Sequence, residues 1–287
     1  MQKIFILCVG AQKSGTTWLY QYLHHHPNTN MGFEKEYHIF DALYVNEDGI
    51  KKRWLQNRIS KLFEPSGSVA KNDILIVKFL SNTEHYFDYF AAMANSRSDI
   101  MLTGDITPSY AALPIDAFSK IKIGLEKRNF IIKVVFLMRD PVDRCISSVR
   151  MRLRGAGTSP TAEDEELKLR ECYADQSFQI RTRYDQTIKN IEKVFDRSDV
   201  RYFFYEDFFN YNSVRSLTEF LSIPYIKPDF ERKFNASRTG HEIDKLLRKE
   251  IYMSYEGVYK YMVERFGNSR IAELWESHRE FSEYARI

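Results

Sequence analysis

Near the start of the chain, Ile4-Phe5-Ile6-Leu7-Cys8-Val9 is an unbroken β-prone run that stops at Gly10 and gives way to a helical stretch over Thr16–His25. A strand with no polar face must be covered on both sides, the pattern of a parallel strand between layers of helix. The arrangement recurs twice. Phe130–Met138 leads into Arg139-Asp140-Pro141 and a helix through Val149, and Val200–Tyr205 precedes Glu206-Asp207 and a helix over about Val214–Leu221. Strands alternating with helices predict an α/β fold, a doubly wound and mostly parallel sheet flanked by helices.

Between these landmarks, Glu84–Asn95 reads as a helix and Phe178–Phe195 as one long amphipathic helix, while Ile74–Leu80 suits either strand or helix. No repeat or linker divides the 287 residues, so residues 1–287 are expected to form a single domain. The balance of 42 Lys and Arg against 39 Asp and Glu, net +3, is too even for a nucleic-acid partner. Cys8, Cys145 and Cys172 have unrelated spacings that suit neither a disulfide framework nor a zinc site. They read as reduced thiols of a cytoplasmic protein. No run approaches the ~18 apolar residues of a membrane span. The apolar run after Lys3 is also shorter than the ~7–15 residues of a signal-peptide core.

The turn between the first strand and helix carries the first chemistry. Gly10-Ala11-Gln12-Lys13-Ser14-Gly15-Thr16-Thr17-Trp18 joins them with two glycines, a lysine and three hydroxyls. Such a loop aims backbone N–H groups and the positive end of a helix at one point, which favours an anion. It is of the P-loop type without being a Walker A motif, because Thr16 stands where that motif needs lysine and the lysine comes earlier, at Lys13.

Gln12–Leu19 resembles the 5′-phosphosulfate loop of sulfotransferases that use 3′-phosphoadenosine 5′-phosphosulfate (PAPS). Leu23–Pro27 resembles the L-x-x-H-P ending found in the carbohydrate, or heparan sulfate, branch and its bacterial relatives. The resemblance implies that Lys13 contacts the bridging oxygen between phosphate and sulfate, with Ser14, Gly15, Thr16, Thr17 and Trp18 completing the loop. Arg139-Asp140-Pro141 followed by Arg144 and Ser147 resembles the family's 3′-phosphate motif, so that role falls on Arg139 and Ser147. Arginine offers a planar fork matched to phosphate oxygens. Arg144 is the lesser candidate for the same phosphate, the alternative being a pairing with a carboxylate on its helix. Tyr205-Glu206-Asp207-Phe208 resembles a further family segment, in which the acids fix loops and Tyr205 approaches the adenine. Asn235–Gly240 resembles, loosely, the loop that closes over the 3′-phosphate, making Ser237 and Arg238 candidates.

Glu34-Lys35-Glu36-Tyr37-His38-Ile39-Phe40-Asp41 resembles the branch's E-x-H-F-F-D segment, whose glutamate deprotonates the acceptor hydroxyl; that residue is Glu36 here, with His38 as the rival base. Thr103–Tyr110 resembles G-E-K-[ST]-P-x-Y but has Ile106 where several carbohydrate sulfotransferases have a second lysine. Either one cation suffices, or Lys71, Lys78 or another residue replaces it. His24-His25-His26 reads as helix surface, since consecutive helical residues diverge by ~100° and cannot share a metal.

The resemblance therefore implies transfer of a sulfuryl group from PAPS to a hydroxyl or amine, with 3′,5′-adenosine bisphosphate (PAP) as product and no metal. The acceptor, a small molecule or glycan, would be met by the variable segments around 41–72 and 151–179. The other readings are a P-loop kinase-like phosphotransferase and an inactive nucleotide-binding module.

Overall fold

The computed structural model describes residues 2–45, 56, 59–60, 71–155, 160–231 and 241–283. The core is a five-stranded parallel sheet in the order β2-β3-β1-β4-β5, formed by β1 (Lys3–Gly10), β2 (Thr29–Asn30), β3 (Leu102–Ile106), β4 (Phe130–Met138) and β5 (Val200–Phe204). The α/β expectation holds. β1 lies at the centre, paired to β3 on one side and β4 on the other. The chain therefore crosses over in opposite directions on either side of β1, the topology that leaves a crevice at the carboxyl ends of the strands.

Alternation along β1 divides the apolar core in two. Phe5, Leu7 and Val9 point into one cluster, and Ile4, Ile6 and Cys8 into the other. Phe5 through Val9 have no solvent exposure, and each such aliphatic or aromatic side chain contributes about 1.5–3 kcal/mol of burial. The second cluster is closed by α1 (Thr16–His24) through Trp18 and Leu19. The first face takes the larger share of helices: α2 (Ile39–Tyr44), α3 (Lys71–Ser81), α4 (Glu84–Ala94), α5 (Ile115–Glu126), α6 (Pro141–Gly155), α7 (Ala162–Cys172) and α8 (Tyr184–Glu192). Helix α9 (Tyr211–Phe220) returns to the second face. Four C-terminal helices, α10 (Lys245–Ser254), α11 (Glu256–Phe266), α12 (Asn268–Leu274) and α13 (Glu276–Phe281), add Leu247, Ile251, Tyr259, Met262 and Trp275 to the first cluster.

Several local expectations change. Phe178–Phe195 is not one helix: a single turn, Gln176–Gln179, ends before α8 begins at Tyr184. The break falls at Thr182, whose hydroxyl donates to Phe178 O at 2.6 Å, and at Arg183, which leaves helical geometry with ψ 65°. Ile74–Leu80 is helical, within α3. Tyr205 ends no strand but opens the single turn Tyr205–Phe208. His26 is not on the surface. It is buried, its Nε2 sits 2.7 Å from Pro224 O, and its Nδ1 accepts from Asn28 N, so the turn that follows α1 is pinned by the last histidine of the run.

The closeness of β1 and β3 depends on Gly104. A Cβ there would lie 2.1 Å from Ile6 O and 2.5 Å from Ile6 Cγ2, against backbone that cannot yield without moving the central strand. Gly104→Ala is expected to destabilise the protein at or above the roughly 1–3 kcal/mol of an overpacked core site. A thermal or urea unfolding curve checks this; a midpoint equal to the parent's would mean the sheet spreads freely.

Candidate functional site

The carboxyl ends of β1, β3, β4 and β5 open onto a cleft of about 1300 Å³. Gln12, Lys13, Gly15, Thr16, Thr17 and Trp18 line one wall, Arg139, Ser147 and Tyr205 another, and Lys35, Glu36 and Pro108 the side beyond the loop. Residues from five separate stretches of sequence thus converge at the same edge of one sheet.

The loop is built for close backbone approach. Lys13 has φ 71° and Gly15 φ 89°, so two residues in left-handed geometry turn the chain into α1 without any side-chain cap. A Cβ on Gly15 would sit 2.9 Å from Phe209 Cζ. Ser14 is fully buried and its Oγ has no hydrogen-bond partner among the described residues. Burial, followed by the charges of Arg154, Arg139 and Lys35, pushes the Lys13 ammonium down to about 8. The mutual repulsion of neighbouring cations of this kind is relieved by an anion. Trp18 forms part of the wall: it stacks between Tyr22 and Phe230, with ring centres 5.5 Å away on each side, and its Nε1 donates to Asp229 O at 3.2 Å.

Arg139 ties the second wall to the first. Its Nη1 donates to Lys13 O at 3.4 Å, its guanidinium lies 4.4 Å from the centre of the Tyr205 ring, and Asp143 is 3.9 Å away. Its buried Nε has no partner among the described residues. Ser147 faces the same cleft two turns along α6.

Among the described residues, Arg144 pairs with no carboxylate. It is fully buried, donates to Phe178 O at 3.3 Å and Cys145 Sγ at 3.4 Å, and lies 5.2 Å from the centre of the Phe178 ring, away from the cleft. Ser237 and Arg238 lie outside the described residues, as does most of the 41–72 segment.

The Arg139-Asp140-Pro141 turn is held from both later parts of the chain. Asp140 N donates to Glu206 Oε1 at 2.9 Å, and burial raises that glutamate to about 7. The Asp140 carboxylate accepts from Val142 N at 3.0 Å, Tyr259 OH at 2.5 Å and Ser277 N at 2.9 Å. Tyr184 OH donates to Arg139 O at 3.0 Å. The sequence signal for Tyr259 and Ser277 is nil, since neither belongs to a motif. Arg248 of α10 also reaches the cleft, 3.3 Å from Asp143, and was not anticipated.

Across the cleft, Glu36 is half-buried and lines the wall, while His38 stands behind it. Glu36 Oε2 is 3.2 Å from His38 Nε2, and His38 Nδ1 is 2.8 Å from Asp41 Oδ2, a carboxylate with no exposure. Lys35 Nζ donates to Glu36 Oε1. Burial works to raise the Glu36 carboxyl, but the hydrogen bonds and charges of His38 and Lys35 outweigh it, and the net shift is downward. Burial likewise opposes protonation of His38, yet its two carboxylate partners hold it up at about 10. Tyr37 N donates to Thr107 Oγ1 at 3.0 Å and Thr107 Oγ1 to Asp105 Oδ1 at 2.6 Å, which fastens this segment to the end of β3. Ile106 is buried in the apolar cluster of α1, and Lys71 and Lys78 are exposed on α3, away from the cleft wall.

Among the described residues, no helix is long and apolar enough to cross a membrane. A model of the sulfotransferase family matches residues 4–227. No curated protein matches the chain. Of solved structures, a sulfotransferase from Alicyclobacillus acidocaldarius aligns with a TM-score of 0.60 at 19% identity, over 92% of this chain and 96% of that one. The sulfotransferase domain of the Synechococcus PCC 7002 olefin synthase aligns at 0.46 and 13%, over 89% and 96%. That of the curacin biosynthetic pathway aligns at 0.48 and 14%, over 88% and 98%.

Proposed function

Because the chain belongs to the sulfotransferase family, we propose that its sulfuryl donor is PAPS and that it sulfates a hydroxyl, or an amine, of a small-molecule or glycan acceptor. The observation that carries this reading is the convergence of Lys13, Arg139 and Glu36 on one cleft. Ser14 Oγ and Arg139 Nε, without hydrogen-bond partners among the described residues, are donors suited to an anion at each end of a bisphosphorylated nucleotide.

In this reading Lys13 and the N–H groups at the start of α1 hold the phosphosulfate. Arg139 and Ser147 hold the 3′-phosphate, and Tyr205, already stacked on Arg139, borders the adenosine. Glu36 takes the proton of the acceptor hydroxyl as its oxygen bonds to sulfur. The bond from sulfur to the bridging oxygen breaks, and Lys13 stabilises the charge that develops on the departing phosphate. His38, protonated and fixed by Asp41, lacks the free lone pair a base requires and instead keeps Glu36 ionised and aimed. Catalysis is then largely positioning and electrostatics.

The test of the donor is selective binding. By calorimetry the protein should prefer PAP to ATP and 5′-AMP; a preference for ATP would favour a phosphotransferase. Arg139→Ala should weaken PAP binding by about 1.5–3 kcal/mol, the range for a hydrogen bond to a charged group, and leave the weak 5′-AMP binding nearly unchanged. Equal losses for the two nucleotides would make Arg139 structural and move the 3′-phosphate elsewhere.

A further inference from the structure

Glu36 has both carboxylate oxygens engaged in this structure: Oε2 by His38 at 3.2 Å and Oε1 by Lys35. A base must free one oxygen for the acceptor's proton. His38 is the poor candidate to let go, because its other nitrogen is locked at 2.8 Å to Asp41, which is fully buried. Lys35 is different in kind. It has a flexible four-carbon stem, lines the cleft beside Glu36, and keeps about a quarter of its side chain exposed, 24%. Among the described residues, Glu36 is the one partner of its ammonium.

The surroundings also favour its leaving. Lys35 and Lys13 face the same space closely enough that the charge of one lowers the other's proton affinity. A sulfuryl group placed between them offers three oxygens bearing negative charge, against the single carboxylate oxygen that Lys35 holds in the free protein. No lysine stands at position 106, where Ile106 is buried among apolar side chains.

We propose that Lys35 is a donor-sensing cation. In the free protein it covers Oε1 of Glu36; when PAPS binds, it moves to the sulfuryl oxygens and leaves Oε1 open to the acceptor. The base is then uncovered only when the donor is loaded. This inference rests on the PAPS reading of the same cleft.

Titration calorimetry without acceptor tests it, because PAP and PAPS differ only by the sulfuryl group. In the parent protein both bind. Lys35→Gln should lose about tenfold in PAPS affinity, the lower end for a charge-assisted hydrogen bond, and change PAP affinity by less than about twofold. Lys35→Arg, which keeps the charge, should recover part of the PAPS affinity. Equal losses for PAP and PAPS, or no loss for either, would overturn the role of Lys35 while leaving the PAPS reading in place. If the parent protein bound neither nucleotide, the PAPS reading itself would fall, and this inference with it.

Discussion

Glu36→Gln is expected to lower turnover by about 10²–10⁴, the usual contribution of a positioned general base, with PAP affinity hardly altered. Glutamine keeps the shape of the side chain but cannot take the acceptor's proton. His38→Gln should cost less, because His38 acts by holding Glu36. The ordering decides the assignment: if His38→Gln abolished turnover while Glu36→Gln kept most of it, the base would be His38. The pH profile gives a second reading. Glu36 is held below the ordinary carboxylate range, so its ionised form persists through neutrality. The acid limb of kcat/KM should therefore lie below pH 4.5, the ordinary value. A histidine base at about 10 would instead place its rise in the alkaline range.

The other large effect belongs to Lys13. Lys13→Met removes the charge proposed to face the leaving phosphate and should cost about 10²–10³ in turnover, as does loss of one preorganised donor at a developing anion. The parent enzyme should show the linked pH dependence. Only the protonated ammonium serves, and in the free protein it titrates at about 8, so kcat/KM falls as pH rises through that value. A bound anion favours the charged form, so PAP binding above pH 8 must take up a proton. Calorimetry at pH 9 in buffers of different ionisation enthalpy would detect that uptake, and Lys13→Met should abolish it. Persistence of the uptake in the variant would assign the proton to another group.

The framework was legible because three strand-turn-helix units state themselves locally, β1 and β4 by continuous β-branched and aromatic runs. β3 was not read as a strand. Its Leu-Thr-Gly-Asp-Ile sequence contains two poor strand formers, and they are accommodated only by tertiary structure: Gly104 by the closeness of Ile6, and Asp105 by three hydroxyl donors, Thr107, Tyr86 and Tyr110. At the site, Lys13, Arg139 and Glu36 were named from motifs and do line one cleft. Lys35 stood inside a quoted motif with no role, since only the folded chain shows that its ammonium meets Glu36 and the cleft. The surroundings of Arg144 were not legible, because spacing along a helix says nothing about a fully buried guanidinium resting on the Phe178 ring and its carbonyl. The four C-terminal helices left no chemical signature. Besides apolar side chains for the core and Arg248 at the cleft, they fasten Asp140 with a tyrosine hydroxyl and a backbone amide, groups that sequence does not distinguish from any others.

That contribution sets an order of events while the protein is being made. Asp140 is fastened by residues 119 and 137 positions farther along the chain. A chain growing on the ribosome at roughly 5–20 residues per second emits Lys13, Glu36 and Arg139 on the order of ten seconds before Tyr259 and Ser277, which secure the Arg139 turn. During that interval the nascent protein holds Lys13, Glu36 and Arg139 without the clasp that orients the Arg139 turn. Its ligand affinity should mature only once Tyr259 and Ser277 have docked on Asp140.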